Sequence, residues 1–590
     1  MAPLTIQQTF DLAFRHHQAG QLREAGQLYR QVLAQQPAHV DAMRLLGVIA
    51  HKAGRNDIAV DLIRRAIALR PNFAEAYCNL GIALAANEQL DEAVAAFRQA
   101  IALRPNYAEA QSNLGVALAS KEQLDDAIVA FRQAIVLRPN YAKAHNNLGL
   151  ALADKGQLDD AIAACRRAIA LNPNLPEVHS NLVFTLHYSP AYDAQAIAEE
   201  LRRWNRQHAE PLRKFIQSHS NDRSPDRSLR IGYVSPDFLE NPVGRFLLPL
   251  LAHHDHQNFQ IVCYANVQRP DALTPRLQGH ADIWRSTVGL TDEQLATQIR
   301  QDQIDILVDL TMHAASNRLL VFARKPAPVQ VMYLAYCSST GLDTIDYRLS
   351  DPYLDPPGEE SFYSEQTIHL PDTFWCYQSI IDCPQVGPLP ALAQGVITFG
   401  CLNQFTKVSE PTLGAWAKLL RAVPNSQLLL CANKGSHRER LQQQLQREGI
   451  EPNRVRFTGR VPLRDYFRLY HGIDIALDTF PYAGGTTTCD ALWMGVPVVS
   501  LVGRTGVSRG GLSILSNVGL PELVARSEEQ YVRIANELAD NLPHLSQLRS
   551  TLRQRMEQSP LMDAPQFARD LEAAYRRMWH TWCETASAKS

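Results

Sequence analysis

The spacing of apolar and small residues changes character once along the chain. Over the first third the pattern is that of paired helices, and it recurs at a fixed interval. Pro37, Pro71, Pro105, Pro139 and Pro173 are each 34 residues apart, as are Gly47, Gly81, Gly115 and Gly149 (with Val183 in the next slot) and Ala25, Ala59, Ala93, Ala127 and Ala161. The third unit reads Tyr77, Leu80, Gly81, then Ala93, Phe97, Ala100 and Pro105. Gly and Ala suit places where two helices approach closely. Proline ends the second helix, because it lacks an N–H and clashes with the preceding turn. This predicts five helix-turn-helix units at about 6–39, 40–73, 74–107, 108–141 and 142–175, and a degenerate sixth that starts near Leu175 and fades after Leu186. One unit cannot bury its own apolar face, so the units stack into a continuous superhelix.

From about Ala191 the repeat is lost, and the polar, turn-rich stretch Ser218–Ser228 reads as a boundary. Beyond it, short β-rich runs alternate with longer helical runs, the pattern of parallel α/β sheets. A first block carries predicted strands at Leu229–Val234, Gln260–Tyr264, Ile304–Leu310, Val329–Leu334 and Tyr347–Ser350. A second carries Ile397–Cys401, Gln427–Leu430, Val455–Thr458, Ile473–Leu477 and Val498–Leu501, with helices at Pro411–Ala422, His437–Glu448, Leu463–Tyr470 and Thr487–Met494. A long amphipathic helix, about Ala564–Trp582, packs back across the lobes. The predicted organisation is a repeat superhelix over 1–190, a helical, polar connector over 191–228, and two Rossmann-like lobes over 229–390 and 391–590, with a cleft between the lobes.

A 34-residue period is that of the tetratricopeptide repeat. Asn79, Asn113, Asn147 and Asn181 share one slot on the first helices of successive units. Such a ladder offers a donor and an acceptor per repeat and suits the backbone of an extended peptide or protein acceptor. It is equally a row of solvated polar residues.

Composition narrows the classes further. The chain has 590 residues, 58 Lys plus Arg against 60 Asp plus Glu, and 46% apolar residues. This balance supports neither nucleic acid nor an anionic membrane as partner. Its ten cysteines include no Cys-x-x-Cys pair, so neither a disulfide framework nor a zinc site is expected. No signal peptide and no spanning segment are legible, and a cytoplasmic setting is the expectation.

Chemistry concentrates at strand-to-helix turns. The run Asp478-Thr-Phe-Pro-Tyr-Ala-Gly-Gly-Thr-Thr-Thr-Cys-Asp goes from strand through a glycine turn into a helix. Gly484 and Gly485 let backbone approach a ligand closely. Thr486, Thr487 and Thr488 sit at a helix start, where free N–H groups and partial positive charge favour a diphosphate. One threonine would serve as a simple cap; three after two glycines exceed that need. Cys401-Leu-Asn-Gln-Phe-Thr-Lys follows a strand of the same lobe, and Lys407 there suits the leaving diphosphate as a point charge. In the first lobe, His313 follows the strand ending near Asp309, and Asp237 and Asn241 follow the strand ending near Val234. Both turns lie where open α/β sheets bind ligands. His313 is a candidate proton acceptor, and Asp237 and Asn241 are candidate cleft residues or parts of a capped turn. No Asp-x-Asp element follows a strand to hold a divalent ion, so neither metal nor cofactor is expected beyond a nucleotide sugar as substrate.

With these pieces in place, the chain resembles the protein O-GlcNAc transferase and SPINDLY family, glycosyltransferase family 41. The resemblance rests on Ser235-Pro-Asp-Phe, Arg324-Lys-Pro-Ala-Pro-Val-Gln, Ile345-Asp-Tyr-Arg-Leu-Ser-Asp-Pro, Asn403-Gln-Phe-Thr-Lys and Gly484-Gly-Thr-Thr-Thr-Cys-Asp-Ala-Leu-Trp. It implies an α-solenoid followed by an α/β GT-B fold, and inverting transfer of one sugar to Ser or Thr of proteins without metal. By the same resemblance, Gln404 and Lys407 contact the donor, Thr486 and Thr487 bind phosphate, and Asp490 grips the ribose. The proton acceptor stays open among His313, Asp237 and a donor phosphate oxygen. Asn241, Gly485 and Tyr466 stand where animal members carry histidines, and the Gly-Gly-Thr-Thr-Thr form is similar to SPINDLY. The expected donor is UDP-GlcNAc. GDP-fucose, which SPINDLY-type enzymes use, is the alternative, and a repeat scaffold with non-catalytic lobes is the reading from another class.

Overall fold

A computed structural model describes residues 4–358 and 360–587. It divides into two compact units, one of residues 1–155, 163–172 and 434–436, the other of 156–162, 173–433 and 437–590. Among the described residues, no helix is long and apolar enough to cross a membrane.

The repeats are helix pairs as the period predicts: Ile6–Gln18 with Leu22–Gln35, Val40–Lys52 with Asn56–Leu69, Ala74–Ala86 with Leu90–Leu103, Ala108–Ser120 with Leu124–Leu137, and Ala142–Asp154 with Leu158–Leu171. The recurring glycine has a steric reason. A Cβ on Gly81 would lie 2.6 Å from the Phe97 ring, and one on Gly115 would lie 2.5 Å from the Phe131 ring. Overpacking of this kind costs about 1–3 kcal/mol. Gly115→Val is therefore expected to speed amide exchange in helices 108–120 and 124–137 by one to two orders of magnitude, read by hydrogen-exchange mass spectrometry. Unchanged exchange would remove close packing as the reason for the glycine.

A second repeated device ties the end of a unit back to its first helix. Arg70 pairs with Asp41 at 3.1 Å, Arg104 with Glu75, and Arg138 with Glu109 at 2.6 Å. Each guanidinium also lies over the next aromatic ring, 4.7 Å from Phe73, 4.9 Å from Tyr107 and 5.1 Å from Tyr141. Asn79, Asn113 and Asn147 are half-buried on the first helices of their pairs. Asn113 reaches the Cys78 sulfur at 3.7 Å, and the Asn147 amide nitrogen is buried without a hydrogen-bond partner. Asn181 lies on helix Pro176–Leu186, which belongs to the second unit.

The second unit opens with helices Pro176–Leu186 and Ala194–Trp204, followed by turns to Phe215. Two parallel sheets follow. The first holds β1 (Leu229–Ser235), β2 (Phe259–Ala265), β3 (Ile283–Ser286), β4 (Ile306–Asp309), β5 (Val329–Met332), β6 (Tyr347–Ser350) and β7 (Gln366–His369), in the order β3-β2-β1-β4-β5-β6-β7. The second holds β8 (Ile397–Cys401), β9 (Ser426–Cys431), β10 (Val455–Thr458), β11 (Ile475–Leu477), β12 (Val498–Leu501) and β13 (Val524–Ala525), in the order β10-β9-β8-β11-β12-β13. Strands β3, β7 and β13 go beyond the sequence expectation, and all three are edges. An edge strand is covered less, so it lacks the continuous apolar run that marks a central strand. In β3 and β7 no residue is fully buried, whereas all four residues of β4 are.

The last helix, Ala564–Ser587, returns to the first lobe. Tyr575 hydrogen bonds Tyr233 of β1 at 3.2 Å, and Glu572 pairs with His254 at 2.8 Å.

Candidate functional site

In each sheet the strand order reverses direction once, between β1 and β4 and between β8 and β11. Loops leaving the C-terminal ends of two such strands diverge and leave a crevice between them. In the second lobe those loops are Asn403–Lys407 after β8 and Asp478–Gly485 after β11. They form one wall of a cleft of about 490 Å³, whose other walls include Arg245, Phe246, Tyr336 and Trp375, with Tyr188 from the segment after helix 176–186. Gln404, Lys407, Gly484, Gly485, Thr486, Thr487 and Asp490 all line this cleft.

The glycine turn is shaped by a buried acid. Asp478 is 2% exposed. Its Oδ1 accepts from the Gly484 N–H at 2.6 Å, the Thr479 N–H at 2.9 Å and Asn403 Nδ2 at 3.2 Å, and its Oδ2 accepts from Ser500 Oγ at 2.8 Å. Burial pushes its pKa up, and these donors oppose the shift. A Cβ on Gly484 would come within 2.5 Å of Thr488 Oγ1 and 2.8 Å of Thr487 Oγ1, so only glycine fits. Gly485 differs, since a Cβ there would meet nothing nearer than the Trp375 ring at 3.9 Å.

Helix Thr486–Trp493 starts here, with Gly485 as an N-cap that has no side chain to offer the first turn. That end keeps donors and partial positive charge for an anion. Thr487 Oγ1 donates to Asn403 Oδ1, and the Thr487 carbonyl accepts from Tyr470 Oη at 3.2 Å. Tyr470 in turn meets Tyr466 Oη at 2.8 Å.

Lys407 ends the turn Phe405–Lys407. Its Nζ donates to the Ala483 carbonyl at 3.0 Å and lies 4.2 Å from the centre of the Tyr482 ring. Burial lowers its pKa to about 8, with Asp478 pulling the other way. The cleft thus holds a cation beside a helix N-terminus, an arrangement suited to a diphosphate.

Asp490 is buried. Arg245 grips its carboxylate through both guanidinium ends, and Tyr377 Oη donates to it at 2.8 Å. Arg245 stands on helix Pro242–Leu251 of the first lobe, so the pair bridges the lobes.

Three first-lobe expectations need correction. His313 does not face the cleft: it is fully buried, with Ser180 Oγ at 3.0 Å from Nδ1 and the Thr340 carbonyl at 2.8 Å from Nε2. Burial drives its pKa down to about 3. With both nitrogens engaged, it has no free position for a substrate proton. Asn241 caps helix 242–251, accepting from the Gly244 N–H at 3.0 Å and donating to Asp237 Oδ1 at 2.7 Å. Asp237 is the partner of that cap. Neither Asp237 nor Asn241 lines the cleft; Glu240, Pro242 and Arg245 do.

Sequence reasoning passed over Arg245, Trp375 and Tyr482. Arg245 carries no motif signal. Tyr482 lay in plain view inside the glycine run. Among the described residues, no group of three or more His, Cys, Asp or Glu side chains is placed to hold a metal ion.

Comparison with known proteins follows these features. The model of the family described as glycosyl transferase family 41 matches residues 171–382 and 388–571, and tetratricopeptide-repeat models match 10–77, 62–95, 83–121, 117–156 and 142–175. The chain is 42% identical over 381 residues to a Petunia hybrida protein named probable UDP-N-acetylglucosamine–peptide N-acetylglucosaminyltransferase SPINDLY, covering 63% of this chain and 41% of that one. It is 30% identical over 368 residues to the Arabidopsis thaliana protein of the same description named SEC, covering 60% and 38%. The chain therefore spans about two fifths of the length of these relatives. A solved structure of a mutant Thermobaculum terrenum O-GlcNAc transferase superposes with a TM-score of 0.82 at 37% identity, covering 87% of this chain and 98% of that one.

Proposed function

The chain belongs to glycosyl transferase family 41, and from that premise we propose that it transfers a single sugar, GlcNAc from UDP-GlcNAc, onto Ser or Thr hydroxyls of proteins. The observation that carries this reading is the meeting of the Lys407 ammonium with the Thr486 helix start in one cleft. The relatives' names supply the sugar. The acceptor hydroxyl attacks the anomeric carbon in line, the bond to the diphosphate breaks, and negative charge grows on the departing phosphate. Lys407 and the first-turn amides stand where that charge develops. The proton passes to a donor phosphate oxygen, because His313 is sealed and Asp237 lies outside the cleft wall. The repeats hold the acceptor protein, with Asn79, Asn113, Asn147 and Asn181 as candidates for its backbone.

The test is incubation of the purified chain and candidate acceptor proteins with UDP-GlcNAc or GDP-fucose, followed by peptide mass spectrometry. Added N-acetylhexosamine supports the reading. Added deoxyhexose replaces the donor and keeps the chemistry. Transfer from neither nucleotide sugar moves the function to a scaffold of repeats.

The route of the proton has its own test. Asp237 is held up near 6 by burial, against the hydrogen bond from Asn241. A carboxylate of that pKa is ionised above pH 6, so a base role would make the rate climb through pH 6. General bases contribute about 10²–10⁴-fold. Asp237→Asn is expected to stay within about tenfold of wild type and to keep the acid limb of its pH–rate profile. A larger loss, with that limb abolished, would make Asp237 the base.

A further inference from the structure

The Tyr482 ring touches two groups of the cleft at once. On one contact it meets the Lys407 ammonium, with Nζ 4.2 Å from the ring centre. On the other it stacks on Tyr188, with centroids 4.9 Å apart and planes 23° from parallel. Both tyrosines line the cleft. Tyr188 is itself fixed edge-on by Phe184 of helix 176–186, at 5.3 Å. Among the described residues the Lys407 ammonium makes one hydrogen bond, to the Ala483 carbonyl. An ammonium half withdrawn from water gains further stabilisation from the face of an aromatic ring, through the ring quadrupole.

We propose that Tyr482 is a positioning residue for Lys407: its ring face, steadied by the stack on Tyr188, holds the lysine cation in the donor cleft and keeps it charged before the donor arrives. This rests on the reading of Lys407 as the diphosphate contact. A lysine is a flexible point charge, so fixing it beforehand removes an ordering cost from donor binding.

The other titratable groups around the amine are Asp478 after β11, the Cys401 thiol of β8 and the Cys337 thiol of the loop after β5. Burial pushes Cys401 up to about 12, and Cys337 and the Tyr482 phenol well above their usual values, so these three stay neutral around pH 8. Asp478 is common to wild type and every variant below. A change in lysine titration on replacing Tyr482 therefore reports the ring.

The experiment is trace acetylation of the full chain with acetic anhydride from pH 6 to 10, quantified by mass spectrometry on the peptide carrying Lys407. It reads the free-amine fraction and needs no donor. Tyr482→Phe keeps the ring face and is expected to titrate with wild type. Tyr482→Leu is expected to titrate lower by about half to one pH unit, the worth of a cation–ring contact. Tyr188→Leu is expected to shift the same way by less. A Tyr482→Leu midpoint equal to or above wild type overturns the proposal, as does an equal shift in Tyr482→Phe. An unshifted Tyr188→Leu removes the stack from it.

Calorimetric binding of UDP-GlcNAc to wild type and Lys407→Ala separates the two layers. Binding lost in Lys407→Ala while Tyr482→Leu titrates normally sinks the positioning role and leaves the donor reading intact. Equal binding by both proteins sinks the donor reading, and the positioning role with it.

Discussion

Replacing Lys407 with alanine is expected to lower the transfer rate by about 10²–10³-fold while leaving the fold intact. The size follows from what is removed, one preorganised charge at the point where the departing diphosphate gains negative charge. The fold is spared because the ammonium contributes little to stability. Burial disfavours it, lowering its pKa to about 8, and its hydrogen bond goes to a loop carbonyl. The sign of the pH dependence follows. The amine is charged below about 8 and neutral above, so kcat/KM for the donor in wild type should fall as pH rises through 8. The Lys407→Ala profile should be flat there. Arginine at this position is not an equivalent substitute, because its planar fork presents a different donor geometry from the compact ammonium that meets the Ala483 carbonyl. Single-turnover transfer, calorimetric donor binding and thermal unfolding on the same preparations make the check. Wild-type turnover in Lys407→Ala would end the catalytic reading of this cleft.

The second large effect is structural. Arg245→Leu leaves the Asp490 carboxylate buried, with only Tyr377 to answer it. Removing one partner of a buried ion pair costs about 3–5 kcal/mol, whereas replacing both with apolar residues of similar volume is often neutral. Arg245→Leu should therefore lower the unfolding midpoint of the two-lobed unit sharply, and the double variant Arg245→Leu/Asp490→Leu should recover most of the loss. The double variant should still fail to bind donor if Asp490 also serves the ribose. Calorimetric unfolding and donor binding measured together separate these roles. A stable Arg245→Leu protein would show that water reaches Asp490.

Much of this architecture was legible in the residues, and what was hidden has physical reasons. The repeats declare themselves because a steric demand, glycine under a facing side chain, returns every 34 residues. Central strands declare themselves through burial on both faces. The edges β3, β7 and β13 do not: β3 and β7 are only partly covered, and β13, though buried, is two residues long. The cleft wall from Gln404 to Asp490 could be read because each piece sits in a strand-to-helix turn, where position alone implies a ligand. His313 sits in such a turn too, yet Ser180, 133 residues earlier, and Thr340 close over it. No local pattern carries that information. Arg245 meets its partner across 245 residues, and nothing in either segment announces the other. The arginine clips of the repeats were within reach, since Arg70, Arg104 and Arg138 keep the same interval as the prolines.

Those clips have a mechanical consequence. Each is about half exposed, with the arginine side chains 41–45% accessible, so dissolved ions screen every one of them. All occupy the same place in their units. Ionic strength therefore cannot loosen the clip of one unit and spare that of the next: it weakens all three together, the way every coil of a spring yields to the same load.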